Sequence, residues 1–293
     1  MKKEKKLFKE KSLYAMFFIV CTCFFLVCFE QFFSASNYTL CKTDRGLWIV
    51  GIRGDLVSDR ILENGAWEFN VTKYLTDHVK PSETVIEIGA NIGYYTTLLA
   101  SIVGKNGKVY SYEANKQVFD LAVLSLRMNE LQRDGVFLKN LAVSDHTGTI
   151  ELVCKTDKDL FSGEVNLGAT HLKFPSEKTH EQTISVQSVT LDEDLSDVKN
   201  VDWLRMDIEG SEILALKGAK RIIESSPNLK IVMEWSVRML GYYDNVADLI
   251  DEMHAYGFRF HLIDNRGKLG KELSKNELLN MAKIENVVLM RNK

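Results

Sequence analysis

Short apolar runs alternate with amphipathic stretches along the first half of the chain. The run Thr84–Ile88 is rich in β-branched residues, ends at Gly89 and predicts a buried strand. Further strands are predicted over Lys108–Tyr112 and Val136–Val143, and helices over Tyr94–Val103 and from Lys116 to about Leu131. This order of strands and helices is typical of a parallel sheet with helical crossovers.

Residues 144–190 break this pattern. Here Thr149–Cys154 and Ile184–Leu191 alternate apolar and polar side chains, which predicts half-exposed strands of a β-rich insertion. The first pattern then resumes, with strands over Val201–Met206, Lys230–Trp235, Phe258–Ile263 and Asn286–Met290, and helices over Ser211–Glu224 and around Val246–Met253. The last two strands have no long helix between them and predict a hairpin at one edge of the sheet.

The fold class predicted from this pattern is α/β, a mostly parallel sheet with helices on both faces. From Leu47 onward the sequence contains no linker, repeat or low-complexity tract, so we expect residues 47–293 to form one domain. The chain is 45% apolar and 26% charged, which is ordinary for a globular protein and excludes disordered, collagen-like and coiled-coil classes.

Charge is unevenly distributed along the chain. The first twelve residues hold six lysines and two glutamates, which leaves 31 basic against 38 acidic residues in the remainder. A body this acidic lacks the basic surface that nucleic-acid binding requires. Nucleic acid is therefore excluded as a partner.

An uncharged apolar segment, Leu13–Phe29, follows the lysines, and apolar residues continue to Phe33. It exceeds the usual signal-peptide core, and the lysines before it place the N-terminus in the cytosol. We predict a cytosolic tail (1–12), a retained transmembrane signal-anchor (13–33), a stem (34–46) and a lumenal body, as in a single-pass type II membrane protein. The alternative is a signal peptide cleaved near Ser34–Ser36.

Two glycosylation sequons, at Asn37 and Asn70, fit a lumenal body but also arise by chance. Outside the apolar segment the chain has two cysteines, Cys41 and Cys154. They form either one disulfide or two unrelated thiols, and the sequence leaves both possibilities open.

The strongest chemical signal is the turn that follows the first predicted strand of the main sheet, with Glu87, Gly89, Asn91 and Gly93 at alternate positions. Glycines let a ligand approach the backbone, and the following helix offers free N–H groups. The turn matches neither a dinucleotide fingerprint nor a P-loop. A carboxylate at Glu87 would repel a pyrophosphate but suits a ligand that carries an ammonium or sulfonium charge.

A second acidic residue, Glu113, closes the next predicted strand, 20 residues after Gly93. An acidic side chain at this position is placed to accept hydrogen bonds from both hydroxyls of a ribose. Turn and carboxylate together favour an adenosyl ligand.

These motifs resemble those of the FkbM family of class I S-adenosylmethionine-dependent methyltransferases. Further matching segments are Gly65–Glu68, Asn140–Asp145, Thr190–Asp192 and Leu204–Glu212. Arg205 stands where the family usually has lysine, which puts in doubt any role that needs a lysine there. The resemblance covers about residues 60 to 290.

The resemblance implies a Rossmann-like, seven-stranded methyltransferase fold, S-adenosylmethionine as cofactor and O-methylation of a hydroxyl of a sugar, glycan or other small molecule. It also implies that Glu87 and Asn91 contact the methionine part of the cofactor, that Glu113 holds the ribose, and that Asn140 and Ala142 lie near the adenine. The remaining predicted cofactor-binding residues lie in or directly after the glycine-rich turn: Gly89, Gly93, Tyr94 and Thr96.

Three carboxylates, Asp207, Glu209 and Glu212, follow the fourth predicted strand of the main sheet within six residues. Asp207 and Glu209 are the predicted catalytic residues, because carboxylates at a strand end can remove a proton or hold a cation. The simpler interpretation is that the two glutamates stabilise the start of the next helix. The six histidines show no metal-binding spacing, so no metal site is assigned.

Two other classes of protein compete with this interpretation. A membrane-anchored lumenal enzyme with a stem is also the layout of a metal-dependent glycosyltransferase, and Asp192-Glu193-Asp194 satisfies the acidic triplet of such enzymes. The favoured interpretation of this triplet is a solvated turn in the polar loop before the fourth strand. A non-catalytic module with the same fold is the third possibility.

Overall fold

The computed structural model describes residues 37–154, 170–173 and 182–291. The predicted tail, the predicted anchor and residues 34–36 of the predicted stem lie outside these ranges. Within them, no helix combines the length and the apolar character needed to cross a membrane.

The strands of the described residues are β1 (Tyr38–Lys42), β2 (Trp48–Ile52), β3 (Thr84–Ile88), β4 (Lys108–Tyr112), β5 (Val136–Lys139), β6 (Ala142–Val143), β7 (Gly148–Cys154), β8 (His171–Leu172), β9 (Gln182–Val189), β10 (Trp203–Met206), β11 (Lys230–Trp235), β12 (Phe258–Ile263), β13 (Leu269–Leu273) and β14 (Glu285–Arg291). The helices are α1 (Leu56–Asn64), α2 (Phe69–His78), α3 (Tyr94–Val103), α4 (Lys116–Met128), α5 (Leu191–Asp194), α6 (Glu212–Lys217), α7 (Lys220–Ser225), α8 (Val237–Leu240), α9 (Val246–Ala255) and α10 (Lys275–Leu279).

The central sheet has the strand order β13-β12-β14-β11-β10-β3-β4-β5. Five neighbouring strands, β11 to β5, run parallel, whereas β14 lies antiparallel between β11 and β12. The predicted α/β methyltransferase-like fold is confirmed. The sheet is nevertheless mixed, and its described part has eight strands instead of the predicted seven. The additional edge strand, β13, pairs with β12 because the chain reverses at Gly267, whose φ of 68° suits glycine.

Side chains alternate between the two faces of this sheet, and each face has its own core. On one face, Ile86, Leu204 and Ile231 pack with the α6, α7 and α9 side chains. On the other face, Val85 and Val232 pack with residues of β2 and of helices α1 to α4. The sheet is thereby covered on both sides, as the alternating pattern predicts.

The N-terminal hairpin β1–β2 packs against α4 and belongs to the folded body. The Val50 N–H donates to the Ser125 hydroxyl at 2.9 Å, and that hydroxyl donates to the Ile92 carbonyl, also at 2.9 Å. Cys41 in β1 is fully buried. Among the described residues, the folded body thus includes β1, which lies inside the segment 34–46 expected to be a stem.

The helix expected over Ser211–Glu224 is divided into α6 and α7. Gly218 lies between them, and a Cβ at this residue would come within 2.2 Å of the Ser144 carbonyl oxygen. Glycine permits this close backbone contact at the residue where α6 ends.

The predicted β-rich insertion is confirmed as a smaller sheet with the order β6-β9-β7-β8. Its described strands lie beside the carboxyl end of the central sheet. Cys154 ends β7, Cys41 lies in β1, and no disulfide bond joins these two cysteines. The disulfide alternative is therefore wrong.

Candidate active site

A cavity of about 630 Å³ opens at the carboxyl ends of β3, β4, β10 and β11. Ligands of doubly wound sheets bind at this edge, where neighbouring crossovers diverge. Seven of the eleven predicted site residues line the cavity: Gly89, Asn91, Tyr94, Glu113, Ala142, Asp207 and Glu209. The other four, Glu87, Gly93, Thr96 and Asn140, lie behind its wall.

The glycine-rich turn brings two strands of the sheet into close contact. Gly89 has a φ of 84°, and a Cβ there would lie 2.1 Å from the Asp207 carbonyl oxygen. A Cβ at Gly93 would lie 2.8 Å from the backbone of Ala122 in α4. Only glycine permits these two approaches, which fix the position of the α3 N-terminus beside the cavity.

Glu113 is held by the backbone of the turns around it. Its Oε2 accepts the Asn91 N–H at 2.7 Å, and its Oε1 accepts the Asn115 N–H at 2.8 Å. Burial raises the pKa of Glu113 to about 7, although these N–H groups oppose the rise. Each oxygen keeps a second lone pair, so the carboxylate fits the predicted pair of ribose hydroxyls.

Glu87 and Thr96 lie beneath the glycine-rich turn. The Thr96 and Ser111 hydroxyls both donate to Glu87 Oε2 at 2.6 Å, and the carboxylate is fully buried. Burial raises the pKa of Glu87, and the charge of Arg205 opposes this rise. Glu87 Oε1 has no hydrogen-bond partner among the described residues. Contact between Glu87 and the methionine part of the cofactor stays a prediction.

Asn140 acts on the cavity through the backbone of the neighbouring turn. Its amide donates to the carbonyl oxygens of Glu113 and Ala114 at 2.8 and 3.0 Å, which fixes the turn that carries the Glu113 side chain. Ala142 in β6 lines the cavity directly. Their predicted nearness to the adenine stays a prediction.

The sheet face that packs against α3 changes from apolar to charged over its last two rows. Glu87 pairs with Arg205 across β3 and β10, one row after the buried Val85 and Trp203. The next row toward the cavity carries Asp207, Glu234 and Asn286 on β10, β11 and β14, since side chains two residues apart share a face. Because side chains alternate along each strand, Asp207 and Glu234 lie next to each other at the floor of the cavity.

Arg205 lies at the centre of these rows and is almost fully buried. Its guanidinium donates to the Gly89 carbonyl at 3.1 Å and to Asp207 Oδ2 at 2.8 Å, and lies 3.6 Å from Glu68 Oε2. It also stacks on the Tyr95 ring, with Cζ 4.2 Å from the centroid. A guanidinium makes these contacts in several directions at once, which a lysine ammonium would not reproduce.

Three residues other than glycine line the cavity with positive φ: Glu68 (42°), Asn91 (50°) and Glu209 (56°). Asparagine tolerates this conformation, but glutamate rarely adopts it. Glu68 is held in place by Tyr95 Oη at 3.1 Å and by the Asn286 amide at 2.8 Å. Such backbone strain is concentrated at functional sites.

Sequence reasoning assigned no role to Glu68 or Glu234. Burial raises the pKa of both, with the negative charge of Asp207 as the second cause. The signal for Glu234 is a carboxylate that follows three apolar residues near the end of the strand Lys230–Trp235. Glu68 carries no such local signal, because its position depends on Asn286, 218 residues away.

The acidic triplet of the glycosyltransferase alternative is used by the fold. Asp192 accepts the N–H groups of Arg221 and Ile222 at the start of α7, at 2.8 and 3.1 Å. Asp194 accepts from Lys139 Nζ at 2.6 Å and from the Tyr112 hydroxyl at 2.5 Å. No cluster of potential metal ligands occurs among the described residues. The carboxylates of Asp192 and Asp194 thus make contacts within the fold.

Comparison with known proteins identifies the family. The model of the methyltransferase FkbM domain matches residues 87–260. No curated protein sequence matches the chain.

Similar solved structures include an FkbM methyltransferase from Methylobacillus flagellatus KT, at 17% identity and a TM-score of 0.44, covering 73% of this chain and 44% of that one. This chain thus spans less than half of that protein. An O-methyltransferase from Bacillus cereus in complex with SAH has 14% identity and a TM-score of 0.42, covering 76% and 80% of the two chains. A SAM-dependent O-methyltransferase from Thermotoga maritima has 14% identity and a TM-score of 0.44, covering 90% and 81%. The family match spans more than half of the sequence, and the chain belongs to the FkbM family of S-adenosylmethionine-dependent methyltransferases.

Proposed function

We propose that this enzyme transfers the methyl group of S-adenosylmethionine to a hydroxyl oxygen of a small molecule, with a sugar or glycan as the favoured acceptor. The observation that carries the proposal is the wall of carboxylates at the ends of β10 and β11. This wall lines the same cavity as Gly89 and Glu113, the residues that fit the cofactor. Cofactor and proton-accepting groups thus share one space.

Transfer to oxygen needs an aligned hydroxyl and a group that takes its proton. The cofactor supplies an electrophilic methyl group on a positively charged sulfur. Asp207 and Glu209 are the carboxylates that the sequence predicts for alignment and proton removal, and both line the cavity. Arg205 holds Asp207 Oδ2 in place, so the position of this carboxylate is fixed before the acceptor binds.

The charge balance of the cavity supports a neutral acceptor. Acidic side chains outnumber arginines along it: Glu68, Glu113, Asp207, Glu209 and Glu234, with Arg205 and Arg238. Such a field favours a cationic sulfonium and disfavours phosphorylated or carboxylated acceptors. A hydroxyl is neutral and donates to carboxylates, so it matches this environment.

Aromatic side chains at the cavity support the choice of a sugar. Trp67 and Tyr242 line it, and Tyr242 is 45% exposed. Aromatic faces offer apolar surface to the C–H face of a sugar ring, while the carboxylates accept from its hydroxyls. Strands β7 and β8 close the opposite side, with Ile150 and His171 at the cavity.

The test is methyl transfer from labelled S-adenosylmethionine by the full chain to a panel of methyl glycosides, with amine and thiol compounds as competing acceptors. We expect S-adenosylhomocysteine to form with glycosides, and a methyl ether to be visible by NMR. The Glu113→Ala variant serves as the cofactor-deficient control. Methylation confined to amines or thiols would contradict the proposal, and so would saturable cofactor binding without transfer to any glycoside.

We also propose that residues 13–33 anchor the chain in a membrane, with residues 37–291 on the lumenal side. The support is the lysine cluster before the apolar segment and the exposure of Asn37. In secretory cells, glycosidase treatment should shift the electrophoretic mobility of the protein, and Asn37→Gln should remove this shift. Cleavage of the body by protease added to intact microsomes would contradict the topology.

A further inference from the structure

The carboxylates of the cavity differ in how the protein holds them. Glu113 accepts two backbone N–H groups, Asp207 is paired with Arg205, and Glu68 accepts from Tyr95 and Asn286. The Glu234 carboxylate also lines the cavity, but it has no hydrogen bond to any described residue. Its lone pairs are therefore available to a ligand.

The position of Glu234 follows from the strand register. Met206 pairs with Met233 across β10 and β11, so Asp207 and Glu234 are neighbours one residue further toward the cavity. On its other side, Glu234 pairs directly with Asn286 in β14. The carboxyl group therefore lies in the row that contains Asp207, next to the strand end that contacts Gly89 in the cofactor turn.

The charges around Glu234 are mostly negative. Burial is the main cause that raises its pKa, to about 10, and the next causes are four carboxylates: Asp207, Glu209, Glu212 and Glu68. Two cations line the same cavity, Arg205 and Arg238, and Arg205 is engaged by Asp207 and Glu68. This environment favours the neutral form of the carboxyl, and a positive charge in the cavity would favour the carboxylate.

We propose that Glu234 responds to the charge of the cofactor: it releases its proton when the sulfonium binds in the cavity, and as a carboxylate it then accepts the proton of the acceptor hydroxyl. This inference rests on the proposed transfer to a hydroxyl. In the transfer, the acceptor oxygen forms the new bond to the methyl carbon, and the sulfur–carbon bond breaks with its electron pair left on sulfur. Asp207 and Glu209 align the hydroxyl, and its proton moves to Glu234, which is then neutral again beside the uncharged product.

The cycle has a chemical advantage. A proton-accepting carboxylate is present only while the positive sulfur is present, because loss of that charge on methyl transfer restores the neutral carboxyl. The same change removes an attraction for the ligand, so Glu234 also favours release of S-adenosylhomocysteine over S-adenosylmethionine.

The test is calorimetric titration of the full chain with S-adenosylmethionine and, separately, with S-adenosylhomocysteine at pH 7.5. Each titration is repeated in phosphate and in Tris, whose ionisation enthalpies differ, so that the number of released protons is measured. We expect the sulfonium ligand to release about one proton more than the thioether ligand. Both ligands have the same ribose, so any proton change at Glu113 occurs in both titrations and cancels.

Two variants complete the design. Glu234→Gln should abolish the difference in proton release while keeping the affinity for S-adenosylhomocysteine, which also shows that the variant is folded. Glu272→Gln is the matched control, because Glu272 lies on β13, 52% exposed, beside Arg259. An undiminished difference in Glu234→Gln would overturn the proposal, as would equal proton release by both ligands in the wild-type protein.

A measurement on the wild-type protein alone is independent of the folding of any variant. From pH 6.5 to 7.5, affinity for S-adenosylmethionine relative to S-adenosylhomocysteine should rise about tenfold, the change for one linked proton. A flat ratio contradicts the proposal. Proton release without methylation of any hydroxyl would instead confirm the response to charge and refute transfer to oxygen.

Discussion

On the β3–β4 side of the cavity, backbone groups hold the predicted ligand-binding carboxylate, whereas on the β10–β11 side the contacts are made by side chains. Glu113 accepts two N–H groups of neighbouring turns, while Asp207 depends on Arg205, and Glu234 makes no hydrogen bond within the described residues. Backbone N–H groups hold a carboxylate in place whatever the charge of the neighbouring side chains. Side-chain charges can change with the ligand, so the first side suits binding and the second suits reaction.

The largest expected effect tests the reactive side. Asp207→Asn removes a charge that aligns the hydroxyl and acts on the neighbouring Glu234, and we expect methyl transfer to fall by about 10²- to 10⁴-fold, the usual range for loss of positioned acid–base catalysis. Affinity for S-adenosylhomocysteine, measured by calorimetry, should stay within a few-fold. Asp134→Asn, an exposed position beyond α4, is the control. Full activity of Asp207→Asn would remove this residue from the catalytic set.

The second effect tests the contact between the two sides. Gly89→Ala puts a Cβ against the Asp207 carbonyl oxygen at a positive φ, and we expect the free energy of unfolding to fall by about 3 kcal/mol or more. Gly54→Ala is the matched control, because Gly54 also has a positive φ but no atom within 4 Å of the added Cβ. If urea unfolding shows that both variants lose the same free energy of unfolding, the close contact between Gly89 and Asp207 does not contribute to stability.

The third effect concerns the pH dependence of stability on the binding side. The folded pKa of Glu113, about 7, exceeds its ordinary value of 4.5, so its contribution to stability is fully present below pH 4.5 and is lost as the pH rises through 7. The loss amounts to about 3 kcal/mol. Relative to wild type, Glu113→Gln should therefore gain stability with rising pH in cofactor-free unfolding experiments. Parallel pH profiles of the two proteins would contradict the assignment.

The smallest expected effect also concerns the β3–β4 side of the cavity. Glu113→Ala should weaken binding of S-adenosylmethionine and S-adenosylhomocysteine equally, by about ten- to a hundredfold, since a charged hydrogen bond to the ribose contributes about 1.5–3 kcal/mol. Calorimetry with both ligands measures this. Unchanged affinity would refute the ribose assignment, and a loss confined to the sulfonium ligand would place Glu113 on the reactive side.

Local signals in the sequence were sufficient to find the residues that line the β3–β4 side of the cavity. A β-branched strand followed by glycines and a helix identifies the turn at Gly89, and the spacing to Glu113 identifies its partner. Both signals lie within one strand–helix–strand unit, so their geometry follows from the pattern. The contacts of Glu87 were harder to predict from the sequence. Strand alternation turns its carboxylate toward Thr96 and Ser111, beneath the turn.

The reactive side depends on contacts between distant segments. Glu234 gains its neighbours from the order of β10, β11 and β14, and the place of β14 between β11 and β12 was not evident from the pattern of strands. Glu68 reaches the cavity through a strained backbone and a hydrogen bond to Asn286. Such partners are set by tertiary topology, which hydrophobic periodicity does not encode.

The hydrogen bond between Glu68 and Asn286 also bears on how this protein can be divided. Both residues lie outside the matched segment 87–260, yet together they fix one wall of the cavity. A fragment trimmed to that segment would lose β14 from the middle of the sheet and Trp67 and Glu68 from the cavity. The unit that can be cut out and exchanged between enzymes is therefore larger than the segment by which the family is recognised.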